Sequence, residues 1–147
     1  MALAGISRRS SFTGEKAIMT RRRSIEIDGF KHSNPIPGAS VVGNLMMSSI
    51  IGGRDPKTGG LPPTVEGQLA CLFQHVKAFV EAAGGGTDDI LKMNFWLREP
   101  HKRDVINAEW VKMFPDAAAR PARHTQGLTG AGDALVQCDV TAVIGAK

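Results

Sequence analysis

The sequence predicts an α+β domain of two layers, a mixed sheet with two helices on one face. Three observations lead there. Short runs near both ends alternate polar and apolar residues, two internal stretches repeat apolar residues at three- and four-residue steps, and the order is β-β-β-α-β-α-β-β. A chain of 147 residues suits one core. With 42% hydrophobic and 22% charged residues it is neither disordered nor a coiled coil, and no apolar run approaches the ~20 residues of a membrane span.

Ser24-Ile25-Glu26-Ile27-Asp28 has the period of a half-buried strand, closed by Gly29. Pro35 and Pro37 make His32 to Gly38 an irregular connection, because each fixes φ and removes a donor. Val41-Val42, a turn at Gly43-Asn44 and Leu45 to Ile51 form a hairpin. Gly52 to Pro63, with four glycines and three prolines, is a surface loop. The first helix starts behind Thr64 as N-cap and ends at Gly84. Leu69, Leu72, Phe73, Val76, Phe79 and Val80 form its apolar stripe, while Gln68, His75, Lys77 and Glu81 fall largely opposite.

Ile90 to Leu97 reads as a strand with Leu91, Met93, Phe95 and Leu97 on its dry side. A second helix, Lys102 to Phe114, carries Val105, Ile106, Trp110 and Met113 and is stopped by Pro115. Pro121 to Gln126 is a short strand and Gly127 to Gly132 a glycine-rich loop. In the last strand, Ala134 to Ile144, Val136, Cys138, Val140, Ala142 and Ile144 share one face. Both helices cover one sheet face. The other, with Trp96, Leu135 and Val143, is too apolar for water and predicts association of subunits.

The net charge of +4 does not describe a binding face. Arg8, Arg9, Lys16, Arg21, Arg22 and Arg23 crowd the first 23 residues, whereas from Ser24 onward 12 bases meet 13 acids. Residues 1–22 are read as a basic, disordered leader and 23–147 as the domain. The leader's composition also fits an organelle presequence, although no apolar export segment follows its twin arginines. Cys71 and Cys138 are too few for a disulfide framework and show no metal-ligand spacing, nor do His32, His75 and His101. A reducing, cytoplasmic setting and no metal are expected.

Seven segments occur in one order: Val42-Gly43-Asn44-Leu45, Asp55 to Gly59, Val80 to Gly84, Asp89 to Lys92, Val105 to Trp110, Arg120-Pro121-Ala122-Arg123 and Leu135 to Val143. Together they resemble the RidA/YjgF family from about Ser33 to Ile144. The resemblance implies a chorismate-mutase-like fold, a homotrimer with ligand clefts between subunits, and hydrolysis of 2-imino or enamine acids to 2-keto acids and ammonia. It implies a small carboxylate metabolite as partner and no cofactor.

By the same resemblance Arg123 binds the substrate carboxylate. A guanidinium suits the task, being a planar fork of donors that stays charged. Gln137 stands where deaminating members have a glutamate that positions or activates water. Its amide orients water but cannot take a proton, which removes general-base help worth ~10²–10⁴-fold. Asp139, two residues along and about 7 Å away, is read as a surface or interface carboxylate. Ile36 replaces the usual aromatic hydroxyl, and the sequence contains no tyrosine. Ser49 carries over as a ligand contact and Asn107 as part of the cleft surroundings. His124, next to Arg123 on a strand, should face the other way. A trimeric small-carboxylate binder with little catalysis is the alternative. Nucleic-acid binding, reported for some relatives of this type, is disfavoured by the domain's charge balance.

Overall fold

A computed structural model describes residues 21–145. Most of the expected leader lies outside that range. Seven strands form one mixed sheet: β1 Arg22–Ile25, β2 Ala39–Val42, β3 Leu45–Ser48, β4 Ile51–Gly52, β5 Ile90–Leu97, β6 Ala122–Gly127 and β7 Val136–Val143. Their order is β1-β2-β3-β7-β5-β6, with β4 also paired to β7. All neighbours are antiparallel except β5 and β6. That parallel pair needs a crossover, which the second helical segment supplies.

Helix α1, Val65–Ala82, forms where the apolar stripe predicted it. The Thr64 hydroxyl accepts from the Gly67 N–H, one of the four donors a helix start leaves unpaired. At the other end Gly84, at φ +98°, donates to Glu81 and Gly85 donates to Val80, the paired bonds of a Schellman cap. Leu72, Val76, Phe79 and Val80 are fully buried against the sheet, each contributing about 1.5–3 kcal/mol relative to exposure.

Several expectations need correction. The second helix is split between a 3₁₀ segment, Pro100–Ile106, kinked at Lys102, and a short α2, Asn107–Met113. Phe114 leaves helical geometry and caps it. The first strand closes at Ile25, and Ile27 only bridges to Phe30. The hairpin's second arm breaks after Ser48, whose hydroxyl accepts from the Val140 N–H between β3 and β4. Leu91 is 59% exposed, because a bulge between Ile90 and Lys92 turns it off the dry side. Gln68 and His75 are buried, not solvated. Gln68 donates to the Pro62 and Asp133 carbonyls and accepts from Leu135 N–H, while His75 Nε2 sits 2.8 Å from the Arg54 carbonyl.

Both helices pack on one face. Phe95 stacks on Phe73 of α1 at 5.9 Å and meets Trp110 of α2 at 6.4 Å. Val136, Cys138, Val140 and Ala142 lie beside them, each at most 1% exposed. No helix among the described residues is long and apolar enough to cross a membrane. The other face carries Trp96 and Val143, half-buried, together with Leu45 and Met47, 45% and 57% exposed. Leu135 precedes β7 and lines a cavity beside the first turn of α1.

Candidate functional site

Arg123 lies on β6, the edge strand, opposite Met93 in register, and therefore on the helix-covered face. Its guanidinium carbon sits 5.0 Å from the centre of the Trp110 ring, a cation–π contact that holds it over the end of the core. Nη1 is closed off from solvent and has no hydrogen-bond partner among the described residues. Burial lowers the guanidinium's pKa, Asp104 raises it and Arg103 lowers it again; at physiological pH the group remains a cation. A cavity of about 360 Å³ brings Arg123 together with Arg103, His124 and Thr125. His124 pairs with Asn94, on the face opposite Arg123, as strand alternation required.

Gln137 lies on the open face of β7, paired with Trp96 and Gly52. It lines a different cavity, about 510 Å³, together with Lys31, His32, Ile36, Arg54 and Ala131. Ile36 is 46% exposed at its rim. The Ser49 hydroxyl donates to the Pro37 carbonyl at 2.8 Å, which ties the proline segment to the strand break and leaves its lone pairs free. Asn107 is exposed at the junction of the 3₁₀ turn and α2 and lines neither cavity. Asp139 accepts from the Asn94 amide at 2.8 Å on the open face, which fits a surface carboxylate better than a base.

Arg123 and Gln137 are thus separated twice. β5 lies between their strands, a lateral gap of about 10 Å, and they project from opposite faces. One small ligand cannot touch both within a single copy of the chain.

Sequence reasoning missed the cations around Gln137. Lys31 and Arg54 lie 23 positions apart in irregular segments, where periodicity carries no signal. It also missed Arg98, whose guanidinium donates to the carbonyls of Leu128, Gly130, Gly132 and Ala134. That grip fixes a loop in which Ala131, a cavity-lining residue, holds φ +62°. The thiols offer no nucleophile. Burial pushes Cys138 well above its ordinary pKa, with Asp139 adding to the effect, and raises Cys71 as well, there with help from Asp55. No cluster of three His, Cys, Asp or Glu among the described residues could hold a metal.

The pattern of the family described as Endoribonuclease L-PSP matches residues 34–144. The chain is 34% identical over 83 residues to the 2-iminobutanoate/2-iminopropanoate deaminase of Escherichia coli K12, a stretch covering 56% of this chain and 65% of that protein. It is 32% identical over 88 residues to a RutC family protein of Aquifex aeolicus, covering 60% and 70%. The crystal structure of RidA from an Antarctic Psychrobacter superposes with a TM-score of 0.76 at 27% identity, covering 83% of this chain and 99% of that one. Escherichia coli TdcF with bound serine gives 0.75 at 25% identity, covering 82% and 98%. The family pattern runs from β2 through β7 and takes in both helices, and the chain belongs to the RidA/YjgF family, with its chorismate-mutase-like α+β fold.

Proposed function

We propose that this protein is a RidA-like deaminase, hydrolysing small 2-imino or enamine acids to 2-keto acids and ammonia in clefts between the subunits of a homotrimer. Arg123 of one copy faces Gln137 and Ile36 of the next. The observation carrying this reading is the Arg123 guanidinium, seated on Trp110 with a sealed Nη1 that has no partner among the described residues. A buried donor without a partner costs about 1–3 kcal/mol, and a ligand carboxylate supplies what it lacks. The deaminase names of relatives and the serine bound to TdcF support a small amino-acid-like ligand.

In this mechanism Arg123 grips the carboxylate and fixes C2. Water held by the Gln137 amide adds to C2 as the C=N electrons move to nitrogen. The resulting carbinolamine collapses, expelling ammonia and leaving the keto group. Protons pass from the water to the leaving amine through solvent, because an amide does not accept them. Ser49, whose lone pairs are free, completes the cleft surroundings, whereas Asn107 lines neither cavity and is given no contact with the ligand. Two unpaired thiols suit a reducing cytoplasm.

A second reading, a trimeric carboxylate binder with little catalysis, is favoured by the missing base at Gln137 and the missing hydroxyl at Ile36. One assay decides: 2-iminobutanoate is generated in situ and 2-oxobutanoate formation followed. Arg123→Ala is expected to lower kcat/KM about 100-fold, and Gln137→Glu to raise kcat about tenfold or more. Binding of 2-oxobutanoate without acceleration of hydrolysis selects the binder.

A further inference from the structure

We infer that the preferred ligand is a 2-imino acid bearing a second carboxylate, an inference resting on the function proposed above. If Arg123 takes the carboxylate next to the reacting carbon, the half-site of Gln137 is left to receive the rest of the molecule. That half-site is cationic. Lys31 and Arg54 line its cavity with the His32 ring beside them, and no Asp or Glu does. The ion pairs among the described residues are Lys102–Glu99 and Lys112–Glu109, so neither Lys31 nor Arg54 is neutralised by a partner.

Asp28, Asp55 and Asp133 adjoin this cavity without lining it, and none of them forms an ion pair with Lys31 or Arg54 among the described residues. Asp55 accepts from the Lys57 N–H, and Asp133 lines a neighbouring cavity that Arg54 also borders. Arg54 spends Nη1 on the Gly59 carbonyl, which orients its fork and leaves donors free. His32 Nε2 bonds to nothing among the described residues. An aliphatic side chain would leave these charges unanswered, whereas a carboxylate pairs with them.

The test compares 2-iminosuccinate with 2-iminobutanoate, both formed in situ, and binding of 2-oxoglutarate with that of 2-oxobutanoate. The dicarboxylate is expected to have the higher kcat/KM by about tenfold, the value of one charge-assisted contact, and to lose that margin at 1 M salt. Lys31→Gln and Arg54→Gln, made singly and together, should collapse the dicarboxylate-to-monocarboxylate ratio. A parent ratio at or below one, or a ratio unmoved by the double variant, overturns the inference and leaves the deaminase standing. Hydrolysis of neither imine with binding of neither oxo acid overturns both.

Discussion

The two faces of the sheet are built from alternate residues of the same strands and do opposite work. On β7, Val136, Cys138, Val140 and Ala142 vanish under the helices, while Gln137, Asp139, Thr141 and Val143 remain half-buried on a face that no helix covers. The covered face supplies the stability. The open face holds Gln137, the proposed holder of water, and, with Leu45 and Met47 exposed beside Val143, an apolar surface suited to another copy. Arg123 is the exception that connects them: a cation on the covered side, at the sheet edge, where a neighbouring molecule can reach it.

The contrast is broken most severely from the covered side. Phe95→Ala removes a ring packed on Phe73 and Trp110 and should cost about 3–5 kcal/mol in urea unfolding; a loss below 1 kcal/mol would refute the packing assigned to it. Next comes Met47→Asp, which places a charge on the open face opposite Thr141. Sedimentation should show the proposed trimer falling to monomers, since burying an unpaired carboxylate costs about 3 kcal/mol or more, and a trimer left intact would move the interface elsewhere. The smallest effect belongs to Leu91→Thr. The bulge has already put Leu91 in water, so its cost should stay within about 0.5 kcal/mol, and a large loss would restore it to the dry side.

Leu91 also marks where sequence reasoning stops. Alternation over Val136–Val143 was legible because one buried face enforces period two, and α1 was legible from Thr64, its stripe and Gly84. A bulge leaves no mark on the hydrophobic pattern, so Leu91 looked like its neighbours two and four residues on. Gln68 and His75 looked solvated because α1 was read as a lone cylinder. Loop carbonyls at Pro62, Asp133 and Arg54 close over that side, and no helical period can announce them. The family resemblance named Arg123 and Gln137 as candidates, and His124's orientation opposite Arg123 followed from strand geometry. That Arg123 and Gln137 project from opposite faces required the register of β5, β6 and β7.

A crystal structure of the full chain with 2-oxobutanoate would decide whether two copies share one ligand. The ligand carboxylate is expected on the Arg123 guanidinium of one copy, with Gln137 of an adjoining copy within reach of a water on C2. A ligand held within one copy away from Arg123, or an Arg123 side chain facing bulk solvent in the assembly, would contradict that.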